Sequence, residues 1–246
     1  FQAYKDPVAV TLTLTGNAPD SSAHAALVAA AGRKFFKEKV VDNLKESIGA
    51  PAGFANAVIP ALGALSRLST GTLVVSDREV KLSGDALYES AASQIRAGLG
   101  KDFPPGWQFK AEISVRPAAA PVDATVCQQL FTDLLGKARI RFESGKADIV
   151  ADSAGLLDRL IETALRCPTA NIEISGHTDT DGEEAANQAL SEKRAQAVAD
   201  YLVKAGLPAS RFSNSGVIGC ERRRPITSSS NPGGSTLERS SDRNRS

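Results

Sequence analysis

The 246-residue sequence predicts an α+β protein: two small αβ modules followed by a domain in β-α-β-α-β order. Three observations carry this. Leu14-Thr15-Gly16-Asn17-Ala18 recurs as Leu82-Ser83-Gly84-Asp85-Ala86, with Phe35 and Phe103 at the same offset after each copy, so the first half holds an internal repeat. Pro117-Ala118-Ala119-Ala120-Pro121 breaks all periodicity and reads as a short, semi-stiff linker. Beyond it, segments of alternating and of helical apolar spacing take turns. The expected boundaries are a first module at 1–68, a second at 69–117, a linker at 118–122 and a third domain at 123–246, with limited proteolysis near Ala118 to Ala120 separating folded halves.

The first copy opens with a strand from Val8 to Leu14, turns at Gly16 and enters an Ala-rich helix carrying Ala26, Leu27 and Ala30. Val40 to Leu44 is a weak further strand. Between the copies, Val58, Leu62, Leu65 and Leu68 form a helical stripe with Pro60 placed in the first turn, the position that tolerates it. With few basic residues beside it, that stripe reads as core rather than as a membrane surface. In the second copy, Thr72-Leu73-Val74-Val75 and Glu79-Val80-Lys81-Leu82 flank Ser76-Asp77-Arg78 as a hairpin. A helix bearing Ile95 and Leu99 and an alternating strand from Phe109 to Val115 complete it. Strand, strand, helix, strand around a Leu-Ser-Gly turn resembles the BON domain, an envelope module associated with phospholipid or partner binding. This half contains no Gly-rich phosphate loop, nucleophile elbow or metal-spaced His or Cys cluster, and His24 stands alone in its helix.

In the third domain, a helix places Cys127 with Leu130, Phe131 and Leu134, and Ala138 to Phe142 reads as a strand. Glu143-Ser144-Gly145-Lys146 turns the chain. Ser153 offers a cap to a helix whose buried stripe is Leu156, Leu157, Leu160, Ile161, Ala164 and Leu165. Asn171 to Ser175 alternates as a strand and runs into the loop Gly176-His177-Thr178-Asp179-Thr180-Asp181-Gly182. A helix from about 184 to 205 follows, stopped by Gly206 and Pro208, and Phe212 to Val217 supplies another strand.

The loop and the helix after it carry the candidate chemistry. Asn187, Ser191 and Arg194 share one side of the helix, so Arg194 can face Asp179 on the loop. A carboxylate and a guanidinium across a cleft, with Thr178 and Asn187 beside them, suit a zwitterionic amino-acid centre: Asp179 takes the ammonium and Arg194 the carboxylate. A structural ion pair between the two is the competing reading. One His and two Asp in a single turn are too few for a closed metal site, and His177 reads as a loop-shaping hydrogen-bonder.

Gly176-His177-Thr178-Asp179, Gly182, Asn187, Leu190-Ser191 and Arg194-Ala195 together resemble the signature of the OmpA-like, peptidoglycan-associated domain. The resemblance implies two helices against one face of a mixed sheet, and a pocket in which Asp179 and Arg194 bind the diaminopimelate of a peptidoglycan stem peptide beside Asn187 and Thr178. It implies a non-catalytic protein of the bacterial cell envelope, on the periplasmic side, with no cofactor. Since no signal peptide or run of eighteen apolar residues is found, the expected outer-membrane or membrane anchor lies outside this sequence. The alternative is a phospholipid-binding or pore-associated outer-membrane protein in which the BON-like half carries the main role. Phospholipid or envelope proteins are the further partners this half implies.

Relatives carrying Cys127 and Cys167 would be expected to bridge them in an oxidising compartment, with two buried free thiols as the alternative and Cys220 left over. Relatives also close with Asn-Arg-Arg and a last apolar strand, whereas here the chain stops at Arg243-Asn244-Arg245-Ser246. Thr227 to Ser241 reads as a loop rich in Ser and Gly. Arg222-Arg223-Arg224 reads as a solvated loop, with anionic glycan or lipid phosphate contact as the sharper alternative. A formal net charge of +1 gives no reason to expect nucleic acid as a partner.

Overall fold

The computed structural model describes residues 1–101, 103–178 and 183–218, with the backbone alone described at 177–178 and 214–218. Calls falling on Asp179, Cys220, Arg222 to Arg224 and Thr227 to Ser246 therefore lie outside the described residues. The α+β class holds, and the first half is one six-stranded mixed sheet.

Its elements are β1 (Gln2–Asp6), β2 (Thr11–Ala18), α1 (Ser21–Lys34), β3 (Lys39–Glu46), α2 (Phe54–Ser66), β4 (Leu68–Ser76), β5 (Glu79–Ala86), α3 (Glu89–Gly98) and β6 (Gln108–Val115). The sheet order is β3-β2-β1-β4-β5-β6. Each copy contributes a parallel pair, β2 with β3 and β5 with β6, and the antiparallel β1 and β4 join the copies at the centre. Alternation along the strands buries Ala3, Leu12, Leu14, Leu73, Val75, Val80 and Leu82 toward the helices, which is where the core of this half forms.

Four expectations are corrected. β1 went unread because Lys5 interrupts its apolar pattern; in the fold Lys5 is buried, and its ammonium donates to the carbonyls of Ser66 (2.9 Å) and Leu68 (2.7 Å) at the end of α2 and meets Glu38 at 3.3 Å. The first-copy strand begins at Thr11 rather than Val8, because the Asp6 carboxylate accepts from the backbone N–H groups of Val8 (2.8 Å) and Ala9 (3.0 Å) and holds them in a turn. The weak strand at Val40 is the full eight-residue β3, its residues paired to β2 from end to end. Pro60 sits inside α2, not in its first turn, since the helix begins at Phe54 after the left-handed Gly53. The α2 stripe is core, with Val58, Leu62 and Leu65 fully buried.

The second half contains α4 (Ala124–Lys137), α5 (Ala154–Leu165), β7 (Ile172–Thr178), α6 (Glu184–Lys204) and β8 (Phe212–Ile218), with β7 and β8 parallel. The strand expected at Ala138 to Phe142 is reduced to one antiparallel bridge between Phe142 and Ile149, because the chain folds back at Glu143 to Lys146. Ser153 does not cap α5 with its side chain; its buried hydroxyl accepts from the Arg141 N–H at 2.9 Å. Leu165, placed in the buried stripe by spacing, is exposed. A disulfide joins Cys127 on α4 to Cys167 just beyond α5, with Cα atoms 6.0 Å apart.

The halves meet along α5. Asp158 is wholly buried and accepts from Arg67 through Nε at 2.6 Å and Nη2 at 3.2 Å, and from the Tyr88 hydroxyl at 2.6 Å. Burial opposes the Arg67 charge, but the Asp158 carboxylate more than offsets it and raises its pKa. On the same helix Arg159 faces Glu38 at 3.8 Å and Glu162 pairs with Arg116. Just before it, Asp152 receives Lys34 at 2.5 Å and Arg33 at 3.2 Å.

Candidate functional site

The candidate site is built where β7 meets α6. Gly176 is in the strand because a side chain there would collide with backbone: a Cβ would fall well inside contact distance of the Ser191 carbonyl and 3.3 Å from the Ala195 nitrogen. Bare strand therefore lies directly on bare helix. Ser191 and Ala195 are buried at that contact, and the Ser191 hydroxyl donates to the Gln188 carbonyl at 2.8 Å. This packing fixes the level of both elements. Thr178, two residues past Gly176, ends the strand about 7 Å further along it.

Asn187 and Arg194 stand seven residues apart on α6, nearly two full turns, so they share a face. Both are half-buried. Asn187 belongs to the first turn, its N–H bonded to the Glu183 carbonyl at 3.0 Å. Thr178 is placed at the strand end by its backbone, whereas Asp179 is among the residues not described. The structure thus puts Asn187 in the first turn of α6 and Arg194 at its middle, beside the contact with Gly176, and leaves the Asp179 to Arg194 pairing without a distance.

Arg194 has partners that spacing could not reveal. Its Nε donates to the Lys146 carbonyl at 3.0 Å, and its guanidinium carbon lies 5.1 Å from the centre of the Phe142 ring. The turn that presents this carbonyl is closed by the Lys146 N–H on the Glu143 carbonyl at 3.1 Å, and Gly145 stands in it at φ 68°, in the left-handed region. The turn was legible in Glu143-Ser144-Gly145-Lys146. Its meeting with Arg194, 48 residues on, had no local signal.

Elsewhere, among the described residues, no group of three or more His, Cys, Asp or Glu could hold a metal ion, and no helix is long and apolar enough to cross a membrane. His24 is not alone: Asp42 lies 2.7 Å and Glu46 3.7 Å from its ring nitrogens, and the Asp42 hydrogen bond raises its pKa. A shallow surface depression of about 540 Å³ is lined by Asn56, Ile59, Pro60, Pro104 and Pro105.

Residues 141–239 match the model of the OmpA family, and residues 9–46 match that of the BON-like domain. The BON-like match falls on the first copy, β2-α1-β3, although the second copy had the clearer sequence pattern. The chain is similar to the peptidoglycan-binding protein ArfA of Mycobacterium tuberculosis, at 26% identity over 93% of this chain and 71% of that protein. It is also similar to a peptidoglycan-associated lipoprotein of Rhizobium meliloti, at 40% identity over 35% of this chain and 48% of that protein. A third relative, outer membrane protein A of Shigella flexneri, is 36% identical over 45% of this chain and 30% of its own length.

Proposed function

We propose that this chain is a non-catalytic cell-envelope protein that binds peptidoglycan through the diaminopimelate of the stem peptide. In this reading Asp179 takes the ammonium of that residue, Arg194 takes its carboxylate, and Asn187 and Thr178 hydrogen-bond beside them. The OmpA-family match spans all four residues, and the similarity to a peptidoglycan-binding protein over 93% of the chain supports peptidoglycan as the ligand. The observation that carries it is the state of Arg194. Among the described residues this half-buried guanidinium is held by a carbonyl and an aromatic ring, and no carboxylate neutralises it. An arginine held in place by a carbonyl and a ring is suited to a carboxylate brought by a ligand.

In this reading the protein works on the periplasmic side of the envelope, and the second half at 123–246 carries the wall contact. Cosedimentation of the whole chain with purified sacculi and, separately, with phospholipid vesicles tests this. Binding to sacculi that Asp179→Asn and Arg194→Ala each abolish is the expected result. Binding to vesicles alone would transfer the function to the BON-like half.

A further inference from the structure

We infer that the 142–146 turn positions Arg194 for ligand, with Phe142 and the Lys146 carbonyl acting as positioning groups that leave the guanidinium one way to receive a carboxylate. This rests on the proposed role of Arg194. A guanidinium offers a carboxylate two bidentate edges: the side edge, made by Nε and one Nη, and the end edge, made by both Nη groups. Here the Nε–H is already donated to the Lys146 carbonyl at 3.0 Å, so the side edge is spent. The guanidinium carbon lies over the Phe142 ring, 5.1 Å from its centre, a cation–π contact that restricts the long side chain. Among the described residues the two Nη groups meet no acceptor. The carboxylate is therefore taken end-on, by Nη1 and Nη2 together.

The turn is itself held. Phe142 pairs with Ile149 across the loop, the Glu143 N–H donates to the Asp148 carbonyl at 2.9 Å, and Lys146 Nζ meets Glu143 at 2.6 Å. Phe142 is partly buried and packs against the core. Arg194 thus has less side-chain freedom left to lose when ligand arrives, and the cost of ordering a long arginine is met during folding.

The test uses the whole chain and a soluble stem tetrapeptide carrying diaminopimelate, with affinity measured by calorimetry and folding checked by circular dichroism. Phe142→Leu should weaken binding about tenfold, and Phe142→Trp, which restores a ring, should bind within about twofold of the parent. In an Arg194→Lys background, Phe142→Leu should change nothing further, a silence that a purely structural role would not produce. The Arg194 Nε–H should give a slowly exchanging signal in an arginine-selective nitrogen spectrum of the parent and lose that protection in Phe142→Leu. Gly145→Val is the second probe should Leu at 142 unfold the domain: nothing lies within 4 Å of its Cβ, so it strains only the turn that aims the carbonyl, and it should also weaken binding. If Arg194→Ala loses the tetrapeptide while Phe142→Leu and Gly145→Val bind as the parent does, the positioning role is wrong and the ligand assignment stands. If Arg194→Ala itself binds as the parent does, the ligand assignment fails.

Discussion

At the scale of single residues, two charges are held in opposite ways. Arg194 is held by the Lys146 carbonyl and the Phe142 ring, and in the proposed role each charge-assisted hydrogen bond it or Asp179 makes to ligand is worth about 1.5 to 3 kcal/mol. Arg194→Lys should therefore lower affinity for sacculi tenfold or more in a pull-down, since a point charge cannot reproduce two parallel donors. Asp179→Asn should lose as much while keeping shape. Lys5 is the opposite case, a cation fully enclosed at the foot of α2. Burial pulls its pKa down to about 8, against the pull of Glu38 the other way. Its unfolded form keeps the proton up to about 10.5, so between pH 8 and 10 the unfolded state binds more protons and stability rises with pH, by at most about 1.4 kcal/mol per unit. Above pH 10 the raised pKa values of Tyr88 and Tyr201 work in the reverse sense, because burial keeps both phenols protonated in the fold. Denaturant melts from pH 8 to 10 should show the rise in the parent and not in Lys5→Met. Motif spacing made Asn187 and Arg194 legible. It could not mark Lys5, which has the composition of a surface residue and a partner set assembled from positions 38, 66 and 68.

At the scale of elements, close approach and covalent closure do the holding. Gly176→Ala would set a methyl group against the backbone of α6 and push the helix off β7, at a cost of about 1 to 3 kcal/mol. Thermal melts should drop, and sacculus binding should fall with them because Asn187 and Arg194 move with the helix. The disulfide closes a loop of 40 residues between α4 and the end of α5, and the chain-entropy account assigns such a loop roughly 3 to 4 kcal/mol. Dithiothreitol should lower the melting temperature of the second half by roughly 10 °C, and Cys127→Ser should match the reduced parent. Strong periodicity made α5, α6 and the β4–β5 hairpin readable. The short bridge at Phe142 was over-read as a strand, since Ile140 and Phe142 alternate whether or not a partner strand lies beside them.

At the scale of the whole molecule, the Pro-Ala linker suggested two separable bodies, and the buried charges along α5 tie them together. Asp158, Arg159 and Glu162 carry no signal of this in the sequence, because nothing local says that Arg67, Glu38 and Arg116 will come to meet them. Proteolysis between Ala118 and Ala120 should nick the chain, yet the fragments should elute together on gel filtration. Asp158→Ala should release them, since it strips the Arg67 guanidinium of its carboxylate at a buried contact and leaves it the Gln94 amide oxygen at 2.9 Å, a loss of about 3 to 5 kcal/mol. Coelution that persists in that variant would show that the apolar contacts alone hold the halves.

The place of β1 at the centre of the sheet also sets an order in time. Its register pairs Gln2 with Val74 on one side and with Thr15 on the other, so one of its two ladders closes against residues some seventy positions away. Contacts that distant form slowly, because the intervening chain must be gathered before they repay it. Residues 2–6 are thus made before the strand that secures them, and a chain halted after residue 67 would leave β1 as a raw edge, with Ala3 and Lys5 missing the neighbours that bury them. What looks in sequence like a first unit followed by its duplicate is, as a folding event, a single act that waits for the second.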